Sequence, residues 1–276
     1  MMAHQRVLRF RCQGCWLIGI LHVPDEPLSR GVLIVTGGPQ YRVGSHRQFV
    51  LLARHLAEHH VPVMRFDYRG MGDSEGDMRD FENIQDDLEA AIGEFFTTMP
   101  AMKELVLWGL CDGATAAAFH AWSDPRITGL VLANPWVRTA QGEARTTLRH
   151  YYLHRLRDRD FWRKLRQGRF GLRPAFDSFR RVLTAARQPT AQVETLPERL
   201  YLALRRFRGQ VLIILSGADL GAREFMALPG QHPHWRKLLA MPRVQQTIIP
   251  NANHTFARQA WRDEVADICA KWIRAW

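Results

Sequence analysis

The chain has 276 residues, 46% of them hydrophobic and 24% charged, the composition of an ordinary globular protein with room for one large α/β domain or two small ones. Disorder, a collagen-like repeat and a disulfide-dense scaffold are excluded, and no apolar run reaches the ~18 residues of a membrane-spanning helix. Residues 1–11 are too polar for a signal peptide, and four cysteines at this length point to a reducing, cytoplasmic setting. The formal net charge of +11 is uneven. Residues 138–208 hold 17 Arg and 1 Lys against 6 acids, which leaves the remainder close to neutral.

Taken in chain order, 6–11 and 15–23 read as two strands joined by a tight turn at Gln13–Gly14. The apolar run 31–35 is a third strand, followed by Thr36-Gly37-Gly38-Pro39. Apolar spacing at Phe49, Leu52, Ala53 and Leu56 predicts a helix over 47–59. Strands follow at 61–66, 104–108 and 127–134, with helices at 84–96 and 111–122 between them. Strands alternating with helices of this length make βαβ units and a mostly parallel sheet flanked by helices. The alternation stops at Trp136 and resumes with a strand at 210–215, a helix near 234–240, a strand at 244–249 and a final helix over 256–273. These are read as an α/β core, 1–137 and 209–276, and a basic helical lid inserted at 138–208. The Trp261, Val265, Ile268, Cys269 and Trp272 stripe of the last helix is core packing.

The chemistry concentrates at the ends of the predicted strands. Gly109-Leu110-Cys111-Asp112-Gly113 sits between a strand and an Ala-rich helix, the pattern of a nucleophile elbow with Cys in the nucleophile position. Its glycines suit a sharp turn, and the helix N-terminus favours an anionic sulfur. Asp219 follows the strand at 210–215 and His254 the strand at 244–249, which completes the order nucleophile, acid, His. Cys111 would attack, His254 would take and return the proton, and Asp219 would orient and stabilise the imidazole. No acid occurs at 134–139, so the preceding strand supplies no alternative. For an oxyanion hole, one donor is the main-chain N–H of Asp112. The other comes from Gly38 or Gln40, since Pro39 has no N–H.

Other motifs carry less. Cys12-Gln13-Gly14-Cys15 lacks a second pair or a nearby His and reads as a hairpin turn rather than a zinc site. Gly70-Met71-Gly72 with Gly76 has the wrong spacing for a dinucleotide loop. His46 lies near the predicted oxyanion loop but reads as solvated loop. No cofactor or metal is expected.

The elbow at 109–113, Asp219, His254 and the turn Asp67-Tyr68-Arg69-Gly70-Met71-Gly72-Asp73-Ser74 resemble the α/β-hydrolase superfamily. More narrowly, Gly37-Gly38-Pro39-Gln40-Tyr41-Arg42-Val43-Gly44-Ser45-His46-Arg47-Gln48-Phe49, Arg65-Phe66-Asp67 and Trp108-Gly109-Leu110-Cys111-Asp112 resemble the first type of hydrolase associated with exosortase A systems. Gly217-Ala218-Asp219-Leu220 and Ala222-Arg223-Glu224-Phe225 extend the resemblance, which is loosest through the lid. It implies an α/β-hydrolase fold with an eight-stranded sheet and a link to exosortase and exopolysaccharide systems. It assigns no substrate.

A cysteine nucleophile on such a fold is similar to that of dienelactone hydrolase and implies a thioester intermediate with activated esters, thioesters or lactones. The expected activity is an acyl hydrolase acting on a small acyl or lipid-like substrate. An acyltransferase using the same acyl-cysteine, or a non-catalytic membrane-docking scaffold, are the alternatives. In the lid, Tyr151, Tyr152, Phe161 and Trp162 interleave with Arg149, Arg155, Arg157, Arg159, Arg163, Lys164 and Arg166. That pattern reads either as a solvated basic face or as a surface for anionic headgroups or glycans, and hence for peripheral contact with the cytoplasmic membrane. No nucleic-acid motif accompanies the charge, and none is expected as a partner.

Overall fold

The structure is a computed structural model that describes residues 4–38, 40–138 and 195–276. The chain divides into two compact units, Met1–Val137 with Arg199–Trp276, and Arg138–Glu198. Most of the predicted lid, with its interleaved aromatic and basic residues, lies outside the described residues. The sheet and the candidate site belong to the first unit.

Strands β1 (His4–Cys12) and β2 (Cys15–Val23) form a hairpin in which Cys12 and Cys15 stand directly opposite one another. Gln13 and Gly14 both have positive φ, 49° and 83°, the twist that a two-residue hairpin turn requires. The pairing explains the C-x-x-C spacing without a metal. Six more strands follow: β3 (Arg30–Val35), β4 (Val63–Asp67), β5 (Glu104–Leu110), β6 (Ile127–Ala133), β7 (Gln210–Ser216) and β8 (Val244–Ile249). They make one eight-stranded sheet in the order β1-β2-β4-β3-β5-β6-β7-β8. β1 and β2 are antiparallel to each other and β2 to β4; every other neighbouring pair is parallel.

Helices cover both faces, and strand alternation decides which residue meets which layer. Val32 and Ile34 of β3, with Val106, Trp108, Val131, Leu212 and Ile214, pack on one side against α1 (Gln48–Glu58) and the last helix, Gln259–Arg274. Leu33 and Val35 of β3, with Leu105, Leu107, Leu130 and Ile213, face the opposite layer. That layer contains α2 (Gln85–Thr98), α3 (Asp112–Ala121), α4 (Leu196–Arg206), α5 (Leu220–Gln231) and α6 (Pro233–Leu239); Gln259–Arg274 is α7.

Two differences from the elements expected of the sequence stand out. Helix α5 has no counterpart among them, because Gly221 and the Pro229-Gly230 pair interrupt its apolar pattern; Pro229 sits inside the helix. In α4, Leu200 and Leu204 are buried in the core of the first unit, and so is Phe207 just beyond it. The first unit accordingly resumes at Arg199, within the span that sequence alone assigns to the insert.

The turn after β4 is built around two buried carboxylates. Asp67 is fully buried and accepts the main-chain N–H of Arg42 at 2.6 Å and that of Asp73 at 3.1 Å. The Arg42 guanidinium pairs with Asp67 and, at 2.5 Å, with Asp73. A Cβ at Gly72 would lie 2.2 Å from Asp67 Oδ2, so only glycine lets the turn close over that carboxylate. Asp87, on α2 and also fully buried, takes the Arg69 N–H at 2.8 Å and three side-chain contacts from the Arg69 guanidinium at 2.8–3.1 Å. The Asp-Tyr-Arg-Gly-Met-Gly-Asp-Ser motif is thus a structural lock between β4, α2 and the loop after β3.

Candidate active site

Cys111 occupies the turn from β5 into α3 with φ 61° and ψ −126°, a backbone conformation that costs energy for any residue with a side chain. The glycines on either side are required by close approach. A Cβ at Gly109 would lie 2.4 Å from the Gly113 carbonyl, and one at Gly113 would lie 2.6 Å from the Val35 carbonyl. The Cys111 N–H donates to Ala133 O at 2.9 Å, and its carbonyl accepts from Ala114, Thr115 and Trp136. The elbow is therefore held on both sides, and the thiol is half-buried.

Asp219 follows β7 and caps α5, its Oδ2 accepting the Ala222 N–H at 2.9 Å. His254 lies in the loop after β8, and its Nδ1 is 3.0 Å from the same Asp219 oxygen. Burial alone would raise the Asp219 carboxyl, but hydrogen bonds from His254 and the Ala222 N–H outweigh it and hold the pKa below its ordinary value. His254 moves the other way, up to about 10, chiefly through its hydrogen bond to Asp219 and then through one to the Cys111 side chain. Cys111, His254 and Asp219 thus come from three separate strand ends to one place, with the imidazole between thiol and carboxylate. A histidine whose folded pKa is raised binds its proton more tightly in the folded state. Its contribution to stability is complete below about pH 6.5 and disappears as pH rises to about 10. Thermal unfolding over that range should fall more steeply in the parent than in His254→Gln; parallel curves would contradict the assignment.

The loop after β3 is arranged differently from the simplest expectation. The Gln40 N–H donates to Gly37 O at 3.2 Å. The Gly38 N–H donates to Asp112 Oδ2 at 2.7 Å, and Gly113 N–H to Asp112 Oδ1 at 3.0 Å. Gly38 has φ 53°, and a Cβ at Gly37 would lie 2.0 Å from Asp112 Oδ1. Both glycines are needed, one for its conformation and one for space. Burial raises the Asp112 carboxyl, while the N–H groups of Gly38 and Gly113 draw it back. The two expected loop donors, Gly38 and Gln40, therefore already have partners, and for Gly38 the partner is the side chain beside the thiol. Tyr68 O–H reaches Gly38 O at 3.4 Å, and Arg65 donates to Arg42 O at 2.6 Å. The lock around Asp67 thereby steadies this loop.

Sequence reasoning missed Asn134, which is 1% exposed. Its amide bonds the main chain and hydroxyl of Ser216 and the carbonyl of His254. An Asn after an apolar strand is too common to stand out by itself. Among the described residues no group of three His, Cys, Asp or Glu could hold a metal ion, and no helix is long and apolar enough to cross a membrane.

The model of the alpha/beta hydrolase family matches residues 32–268. The fold is similar to that of the Pf2001 esterase of Pyrococcus furiosus, with TM-score 0.68 and 15% identity over 99% of this chain and 93% of that one. It is also similar to the dienelactone hydrolase of Anabaena variabilis, with TM-score 0.66 and 15% identity over 100% and 99% of the two chains. Est1E of Butyrivibrio proteoclasticus, solved with ferulic acid bound, has TM-score 0.63 at 12% identity over 96% and 97%. At these identities the likeness speaks for the fold. A search of curated protein sequences gives no match.

Proposed function

The chain belongs to the alpha/beta hydrolase family, and we propose that within it Cys111, His254 and Asp219 form the catalytic triad of an acyl hydrolase. The observation that carries this is the position of His254, whose Nδ1 lies 3.0 Å from Asp219 and whose pKa is raised by Asp219 first and by the Cys111 side chain second. The Cys111 proton passes to His254, and the sulfur attacks the substrate carbonyl to give a tetrahedral oxyanion. The intermediate collapses to an acyl-thioester as His254 returns the proton to the leaving group. A water molecule, giving its proton to His254, then releases the acid and restores the thiol. Asp219 keeps the imidazole oriented and stabilises it while it is charged.

The oxyanion is assigned to the Asp112 N–H together with Gly38 or Gln40. For Gly38 to serve, its N–H must exchange the Asp112 carboxylate for the acyl oxygen. The substrate class is an activated acyl compound, an ester, thioester or lactone with a small acyl or lipid-like group. The esterases and the dienelactone hydrolase of similar fold favour ester and lactone cleavage, and the resemblance to exosortase-associated hydrolases suggests a role beside that system. An acyltransferase would use the same acyl-cysteine and differ only in what attacks it.

The test is turnover of a panel of p-nitrophenyl esters, acyl thioesters and lactones. The parent should hydrolyse members of the panel, and Cys111→Ala and His254→Ala should each lose about a thousandfold or more. Undiminished turnover in Cys111→Ala would overturn the assignment. Added alcohols or amines that divert product from acid to ester or amide would identify a transferase.

A further inference from the structure

The three strand-end turns that carry the proposed triad are joined by one short segment, residues 133–136, at the end of β6. Ala133 O accepts the Cys111 N–H at 2.9 Å, and the Trp136 N–H returns a bond to Cys111 O at 3.2 Å. Thr115, one turn into α3, donates its hydroxyl to Trp136 O at 2.8 Å. Between these, Asn134 reaches the opposite way. Its own N–H donates to Ile214 O in β7 at 2.9 Å, and its Oδ1 accepts the Ser216 N–H at 2.8 Å. Its Nδ2 donates to Ser216 Oγ at 2.8 Å and to His254 O at 2.9 Å. Ser216 Oγ in turn donates to Asn253 O at 2.9 Å, and Ser216 O accepts the Asp219 N–H at 3.2 Å.

The residue type is set by these demands. The position needs one acceptor and two donors in a single planar group, which an amide supplies and a carboxylate cannot. It also needs φ 44°, in the left-handed region that asparagine tolerates better than most residues with a side chain. Asn134 is buried, and both hydrogens of its amide nitrogen are used, so losing the side chain would strand Ser216 and the His254 carbonyl without their partner. The loops it ties, Ser216 to Asp219 and Asn253 to His254, are the two whose separation sets the distance from acid to imidazole.

We propose that Asn134 is the positioning residue of the triad, bracketing the acid loop to the histidine loop from the same segment that anchors the nucleophile turn. This rests on the reading of Cys111, His254 and Asp219 as a triad. Asn134 does not touch the reacting atoms; it acts through His254 and Asp219.

The test uses iodoacetamide, which needs no knowledge of the substrate. Its alkylation of the sulfur forms a carbon–sulfur bond and releases iodide, while the thiol proton passes to His254. The rate at Cys111, resolved from the other cysteines by peptide mass, is followed from about pH 5 to 10 in the parent, Asn134→Ala, Asp219→Ala and the double variant. The parent should be alkylated faster at neutral pH than Asp219→Ala, because an oriented His254 takes up the thiol proton as the sulfur attacks. Asn134→Ala should lose about tenfold or more of the rate near neutral pH, as Asp219→Ala does. In the Asp219→Ala background the same change should cost less than about threefold, because the pair it positions is already broken. An equal loss in both backgrounds, or no loss in either, would overturn the proposal.

If Asn134→Ala does not fold, Ser216→Ala carries the same cycle, since it removes only the hydroxyl between the amide and Asn253. A parent no more reactive than Asp219→Ala would instead sink the triad itself. A parent faster than Asp219→Ala with an unaffected Asn134→Ala would sink only the positioning role.

Discussion

Asp219→Asn is expected to slow acylation at neutral pH by on the order of a thousandfold, the scale on which a triad acid acts through its histidine. The carboxylate is the first cause of the raised pKa of His254, which stands at about 10. An amide in its place can still occupy the space beside Nδ1 and the Ala222 N–H, but it brings no charge. The His254 pKa then falls, having lost its largest raising cause, and the imidazole becomes a weaker acceptor for the Cys111 proton. The sign sets the shape of the profile. The deficit is largest near pH 6–7 and shrinks above about pH 9, where hydroxide ionises a thiol without help. Stopped-flow release of p-nitrophenol across that range would measure it. A variant matching the parent from about pH 6 to 9 would show that Asp219 does not orient or charge the imidazole.

Asp87→Ala is expected to destabilise the protein by about 3–5 kcal/mol, as when one partner of a buried ion pair is removed. Asp87 is fully buried and Arg69 is 4% exposed, so the guanidinium would be left beside Cys12 and α2 with the more exposed Asp86 at 3.4 Å as its remaining ion-pair partner among the described residues. The same substitution also removes the acceptor of the Arg69 main-chain N–H and loosens the turn after β4. Urea unfolding would register the change as a lower midpoint. A double replacement, Arg69→Met with Asp87→Leu, removes both charges and should recover part of the loss, because neither charge then remains buried alone. If the double variant proved less stable than Asp87→Ala, the cost would lie in the hydrogen-bonded turn rather than in the stranded charge.

Much of this architecture is legible in the residues because each signal is local. The strands announce themselves as short apolar runs ending in Gly, Asp or Asn, and the period of two along β3 divides Val32 and Ile34 from Leu33 and Val35. Cys111, Asp219 and His254 stand out for the same reason, each shortly beyond a strand, β5 and β7 being buried and β8 lying at the exposed edge of the sheet. The features that stay hidden depend on three-dimensional partners. Helix α5 is held by the buried Phe225 and Leu228 in spite of the Pro229 within it, so packing overrides propensity there. Asn134 and Ser216 look like ordinary loop residues until the fold brings them 2.8 Å apart. The Asp112 side chain gives no hint in sequence that it takes the Gly38 N–H, because that contact joins the loop after β3 to the elbow after β5. The Asp67 turn is visible as a motif, but its role as a lock around buried carboxylates requires the positions of Arg42 and Asp73.

The most direct test of the central claim is the intact mass of the protein after brief exposure to activated acyl esters and thioesters. One acyl adduct per chain is predicted, mapped by peptide mass to Cys111, absent from Cys111→Ala and strongly reduced in His254→Ala. An adduct that persists in Cys111→Ala, or that maps to another residue while the panel is turned over, would contradict the assignment of Cys111 as the nucleophile.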